Sequence, residues 1–174
     1  MEGLLKNILL TGPPGIGKTT IIMKLIESLR SYNPVGFFTE EIREGPTRKG
    51  FKLTSCDGDR SVLSHVDIKS GIRVGKYGVD VEGFELFLDN IDFFDPLKRV
   101  IIIDEIGKME CMSRFFTELI GRLLDSEKPL IATIALRGTG VIDNIKKRSD
   151  IKLVQINHKN RDSLPLKIIE FFRK

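Results

Sequence analysis

The ten residues TGPPGIGKTT, from Thr11 to Thr20, limit what this chain can fold into more than any other stretch. Their three glycines and two prolines suit neither a strand nor a helix start, so the chain must turn here. Before the turn, KNILLT (Lys6 to Thr11) is a short apolar run of strand type. After it, Ile21, Ile22, Leu25, Ile26 and Leu29 recur at the spacing of a helix with one buried face. The run Gly12-Pro13-Pro14-Gly15-Ile16-Gly17-Lys18-Thr19 fits G-x-x-x-x-G-K-S/T without a gap. Strand, glycine-rich turn and helix N-terminus thus follow one another in the order that a phosphate cradle requires.

Each residue type in the turn has a physical reason. The glycines let the backbone curl, so that successive N–H groups point inward and approach phosphate oxygens closely. The helix that begins near Gly17 aims its positive end at the same place. Lys18 reaches β- and γ-phosphates as a mobile point charge, and the Thr19 hydroxyl holds Mg²⁺. Pro13 and Pro14 have no N–H to offer and stiffen the outer loop. Together with Ile16 and Thr20 they complete the expected nucleotide-binding set.

Such a site also needs an acid on a neighbouring strand. RVIIIDE, Arg99 to Glu105, puts apolar β-branched residues in a row before two acids, which suits a strand buried on both faces of a parallel sheet. Ligands of open α/β sheets bind beyond the carboxyl ends of the strands, so Asp104 is expected beside the phosphate loop as the Mg²⁺-supporting aspartate of a Walker B element. Glu105 is expected to orient a water for in-line attack on the γ-phosphorus. Glu110 competes with it for that role, and Lys108 lies between them. Arg137, just after the apolar run PLIATIAL, is the candidate cation for transition-state charge. Arg43, Arg48, Lys49, Arg73 and Lys76 fit a solvated face slightly better than a phosphate cover.

The remaining pattern sets the fold class. VGFFTEEIRE, GFKLTSC and RSVLSHV read as three strands joined by turns, the second turn being Asp57-Gly58, so this region forms an antiparallel excursion. Gly71 to Gly78 reads as loop. Asp80 caps a helix carrying Phe84, Phe87, Leu88 and Ile91, and Ser113 caps another with Phe116, Leu119, Ile120 and Leu123 inward. A strand at 129–135, a short helix at 140–148, a strand at 151–156 and a helix at 162–172 follow. Strands alternating with helices predict an α/β three-layer sandwich over one domain, residues 1–174. Its sheet is mainly parallel with an inserted antiparallel hairpin region.

Composition narrows the partners. A net charge of +4 is spread over 28 basic and 24 acidic residues, which suits anionic small molecules and is weak ground for nucleic acid. The two cysteines, Cys56 and Cys111, have no metal-ligand spacing and read as packing residues of a reducing cytosol. MEGLLKNILL is neither a signal peptide nor a membrane span. A cytoplasmic monomer that does not require nucleic acid is expected.

TGPPGIGKTT, VGFFTEEIRE with RKGF, VGKYGVDVEGFE, IIIDEIGKME and NRDSLP together resemble the nucleoside-triphosphatase family described from thermophiles, which has a human cancer-related member. The resemblance spans nearly the whole chain and keeps the motif order. It implies a compact P-loop domain related to the RecA-like and AAA-type ATPases. It also implies Mg²⁺-dependent hydrolysis of several nucleoside triphosphates, ATP, GTP and CTP among them, to diphosphate and phosphate. In the family pattern Lys18 and Thr19 are the phosphate-loop residues, and Asp104 and Glu105 are the Walker B acids. Two other functions remain open on the residues alone. One is a small-molecule or nucleotide kinase; the other is a nucleotide-dependent switch or RNA-associated module.

Overall fold

The computed structural model describes residues 6–172. Its first strand, β1 (Asn7–Thr11), is buried at every position and leads through the glycine-rich turn into α1 (Lys18–Ser28). Next come β2 (Pro34–Glu44), β3 (Thr47–Ser55) and β4 (Arg60–His65), paired antiparallel in sequence order. Two short strands, β5 (Arg73–Val74) and β6 (Tyr77–Val79), form a further small hairpin, with β6 paired to β4. The rest of the chain alternates: α2 (Val81–Asp89), β7 (Val100–Ile106), α3 (Arg114–Asp125), β8 (Leu130–Ile134), α4 (Val141–Lys146), β9 (Ile151–Gln155) and α5 (Leu164–Phe172).

One sheet joins all these strands in the order β5-β6-β4-β3-β2-β7-β8-β1-β9. From β2 to β9 every pairing is parallel; from β2 outward to β5 every pairing is antiparallel. The expected division into a parallel body and an antiparallel insertion is therefore observed. β8 lies between the strand that feeds the phosphate loop and the strand that carries the acids.

Period-two alternation explains the three layers. Along β7, Ile101 and Ile103 face a core shared with α2, α3 and α4, while Val100 and Ile102 face a core shared with α1 and α5. Both faces are covered, which is why VIII, Val100 to Ile103, is apolar throughout rather than alternating. Helix starts follow the expected chemistry. The Asp80 carboxylate accepts from the Gly83 N–H at 2.9 Å, and the Ser113 hydroxyl accepts from the Phe116 N–H at 2.9 Å. Three details differ from expectation. GIRVGKYG is not mostly loop but contains the β5–β6 hairpin. Ile91 lies beyond the end of α2, although it still packs against the core. The turn between β2 and β3 is only Gly45-Pro46, so Thr47, Arg48 and Lys49 belong to β3. No described helix is long and apolar enough to cross a membrane.

Phe37 is the centre of the α2/α3 side. Its ring meets Phe84, Phe87 and Phe116 edge-on at centroid distances of 6.0, 5.8 and 6.3 Å. Phe37→Ala removes a fully buried ring from this cluster and is expected to cost about 3–5 kcal/mol. Leu86→Ala, at a position 61% exposed, is expected to stay within about 0.5 kcal/mol of wild type. Guanidinium unfolding midpoints of the two variants check the contrast; equal midpoints would refute it.

Candidate active site

The phosphate loop is held open by backbone geometry and anchored by one side chain. Gly15 and Gly17 have φ of +76° and +103°, in the left-handed region that side chains resist. Between them Ile16 is 4% exposed and packs into the α1/α5 core, while its N–H donates to the Pro13 carbonyl at 3.3 Å. Gly12 is buried, Pro13, Pro14, Gly15 and Thr20 are exposed, and Gly17, Lys18 and Thr19 are half-buried. Helix α1 has no acid in its first turn, so its positive end is not neutralised by its own side chains. Lys18 Nζ donates to the Gly12 carbonyl at 3.1 Å and the Pro13 carbonyl at 3.5 Å, and lies 4.0 Å from Glu105 Oε2.

Asp104 meets the loop because of strand alternation. It continues the face of Val100 and Ile102, which is the face that α1 covers. The carboxylate is nearly inaccessible at 1% exposure, yet it is well supplied with donors. Thr19 Oγ1 donates to Oδ2 at 2.6 Å, Thr133 Oγ1 donates to Oδ1 at 2.5 Å, and Thr39 Oγ1 stands 3.4 Å from Oδ2. Burial raises the Asp104 pKa, and the hydroxyls of Thr133 and Thr19 and the charge of Lys18 oppose that rise. Sequence reasoning did not single out Thr133 or Thr39. Thr133 had a signal, as the one polar residue in PLIATIA; Thr39 had none.

The pairing of β7 with β8 shifts register between Ile103 and Ile106, so Asp104 and Glu105 together face the single residue Thr133. Glu105 is partly buried and turns Oε2 toward Lys18. Burial raises its pKa, with the Asp104 charge acting in the same direction and Lys18 against it. Glu110 lies on a short 3₁₀ turn, Glu110–Met112, and is only 6% exposed. Its pKa is pushed up to about 8 by burial and then by the charge of Glu105. The two glutamates approach across Gly107. A Cβ there would stand 2.7 Å from Glu110 Oε2 and 2.9 Å from Glu105 Oε1.

Lys18, Thr19, Asp104, Glu105 and Glu110 are thus brought to one sheet edge. Arg137 stands at the same edge but in other company. With Lys108, Cys111, Met112 and Val141 it lines a cavity of about 530 Å³, and among the described residues it pairs with no acid. The hairpin cations behave as a solvated face: Arg43 and Arg48 both pair with Glu41, Lys49 with Glu44 and Lys52 with Glu40. Cys56 and Cys111 are free thiols, half-buried. Among the described residues no group of three or more His, Cys, Asp or Glu is arranged to cage a metal ion. The Thr19 hydroxyl and the Asp104 carboxylate are nevertheless adjacent hard-oxygen donors. That sparse set fits Mg²⁺, which commonly takes one or two protein oxygens and completes its shell from polyphosphate and water.

Comparison with known proteins identifies the family. The model of a family described as NTPase matches residues 7–169. The nucleoside-triphosphatase THEP1 of Thermotoga maritima is 43% identical over 168 residues, covering 96% of this chain and 95% of the relative. The human cancer-related nucleoside-triphosphatase is 39% identical over 175 residues, covering 91% and 92%. The crystal structure of THEP1 from Aquifex aeolicus superposes with a TM-score of 0.87 at 32% identity, over 97% of this chain and 99% of that one. The solution structure of the human protein gives a TM-score of 0.77 at 35% identity, over 94% and 95%. With a P-loop that opens into the acids of β7 and relatives that match it from end to end, the chain belongs to the NTPase family.

Proposed function

We propose that the protein is a Mg²⁺-dependent nucleoside-triphosphatase that cleaves the β–γ phosphoanhydride bond and releases nucleoside diphosphate and phosphate. The observation that carries this reading is the convergence of Lys18, Thr19, Asp104 and Glu105 at one sheet edge, with Glu105 Oε2 4.0 Å from Lys18 Nζ. The names of the relatives, nucleoside-triphosphatases, support it. Loose choice of base, with ATP, GTP and CTP all accepted, follows if binding energy is spent mostly on the phosphates.

Each residue then has a defined task. The free amides of the loop between Gly15 and Thr20 cradle the phosphates at the positive end of α1. Lys18 exchanges its loop carbonyls for β- and γ-phosphate oxygens. Thr19 and Asp104 hold Mg²⁺, which when bound neutralises phosphate charge. Glu105 accepts a hydrogen bond from the attacking water and takes its proton as the new P–O bond forms and the bond to the leaving diphosphate breaks. Arg137, exposed and without an acid partner among the described residues, is assigned to the charge of the transition state. Glu110 is a poorer choice for the water, because it is more deeply buried than Glu105 and holds its proton to about pH 8. Free thiols favour a reducing cytoplasm, and no part of the mechanism calls for a nucleic acid or a second subunit.

Phosphate release from a panel of triphosphates tests the reading. Glu105→Gln is expected to keep nucleotide binding and lose about 10²–10⁴-fold in kcat. Lys18→Ala is expected to abolish turnover and also weaken binding, and removal of Mg²⁺ by chelation should stop release. Hydrolysis that survives all three changes, or that requires an added phosphoryl acceptor, would overturn the assignment. Glu110 supplies a separate check. Its pKa is higher folded, at about 8, than the ordinary carboxyl value of 4.5. Its contribution to stability is therefore fully present at low pH, declines as pH rises through that interval, and levels off above it. Glu110→Gln does not titrate. Its melting temperature should rise relative to wild type between about pH 5 and about pH 8; a gap independent of pH would contradict the assignment.

A further inference from the structure

The two oxygens of Glu105 face different surroundings. Oε2 points toward Lys18, 4.0 Å away, on the phosphate side. Oε1 points toward Gly107, and Glu110 Oε2 approaches the same spot from the other direction. Any side chain at position 107 would bring its Cβ within 3 Å of both carboxyl groups. The Glu110 end of this arrangement is rigidly mounted. The Cys111 N–H donates to the Gly107 carbonyl at 3.0 Å, the Met112 N–H to Met109 at 3.1 Å, and the Ser113 N–H to Glu110 at 3.1 Å. Met109 packs against the core and its sulfur accepts from Ser64 Oγ at 3.3 Å. Glu110 is thus a buried acid on a braced turn, with its Oε2 at the same gap as Oε1 of the less buried Glu105.

We propose that Glu110 is a positioning residue that acts through Glu105: its carboxyl holds Glu105 Oε1 across the gap left by Gly107, keeping Oε2 turned toward Lys18 and the phosphate loop. The proposal rests on Glu105 being the water-orienting acid, and it adds a second and a third residue to that function. A glutamate with free χ angles samples many rotamers, and a water-orienting group that is displaced by about 1 Å loses rate by as much as about 10²-fold. A neutral carboxyl behind it, donating one hydrogen bond to Oε1, selects the productive rotamer without adding a second negative charge. Gly107 is the position that makes the pairing sterically possible.

The test compares phosphate release from ATP, with Mg²⁺ in excess, by wild type, Glu110→Ala, Glu110→Gln, Gly107→Ala, Glu105→Gln and the double variant Glu105→Gln/Glu110→Ala. Glu110→Ala should lower kcat by about 10–100-fold while KM stays within about threefold. Glu110→Gln retains a donor of similar shape and should recover at least about tenfold of that loss. Gly107→Ala should reproduce the fall in kcat. Because Glu110 acts through Glu105, adding Glu110→Ala to Glu105→Gln should cause little further loss. The proposal is overturned if Glu110→Ala turns over like wild type, if its effect multiplies in full on the Glu105→Gln background, or if Glu110→Gln is as impaired as Glu110→Ala. Should Glu110→Ala fail to fold, Gly107→Ala alone and combined with Glu105→Gln decides the same question. An undiminished Glu105→Gln enzyme removes the water-orienting role of Glu105 and this inference with it, whereas the other failures strike only Glu110.

Discussion

The hydrogen bond from Thr19 Oγ1 to Asp104 Oδ2, 2.6 Å long, joins residues 85 positions apart in the chain. It forms only because β1 and β7 run parallel in one sheet and end at the same edge, with β8 between them. Parallel pairing requires a crossover helix on each connection, and those helices bury both faces of the sheet. The buried faces in turn put Asp104 in a setting where an unpaired carboxylate is costly. Thr19 and Thr133 answer that cost from the two elements nearest to it, α1 and β8. The fold and the candidate site are therefore one problem in hydrogen-bond satisfaction.

Electrostatics adds a second constraint. Burial raises the pKa of all three acids; the charge of Asp104 adds to the rise at Glu105, and the charges of Glu105 and Asp104 add to it at Glu110, with Lys18 as the cation that opposes the rise for Asp104 and Glu105. Such a cluster is unfavourable as a stability device. It is reasonable for a site that receives a polyanion together with a divalent cation, because the cation's charge then dominates the local balance. Lys18 is bonded to carbonyls of its own loop rather than locked in a short ion pair with Glu105. That leaves it available to phosphate at little cost.

Much of this was legible in the sequence, for identifiable reasons. The phosphate loop announces itself because its backbone conformation demands glycines at fixed places, and Gly15 and Gly17 do take positive φ. Strands buried on both faces announce themselves as unbroken apolar runs, as in VIII from Val100 to Ile103. Asp80 and Ser113 were readable as caps because one side-chain oxygen does the work locally. What could not be read depends on contacts between distant segments. The clamp of Thr133 on Asp104 needs the neighbouring places of β7 and β8 in the sheet, and the pairing within GIRVGKYG needs β4 beside it. The company of Arg137 is of the same kind. Its position after β8 was clear, but its cavity with Lys108 and Met112 arises from a turn some 25 residues earlier folding back over it, a long-range closure that no local pattern encodes.

Three carboxyl groups within seven residues have been given three environments, and the difference lies in what surrounds each oxygen rather than in residue type. Asp104 is buried but bonded to two hydroxyls, which favours an anion fixed in place. Glu105 is less buried and has a cation 4.0 Å from Oε2, which leaves an anion free to accept a proton. Glu110 is buried without a cation, which favours the neutral acid. A reaction at γ-phosphorus needs an anion that stays, an anion that can take a proton, and a steady support for the second. Reassigning any one of these roles would require moving a donor: Thr133 away from Asp104, or Lys18 from Glu105 to Glu110. Strand register holds Thr133 in place, and the short reach from the start of α1 holds Lys18, so the order of the acids along IIIDEIGKME fixes which one faces Lys18.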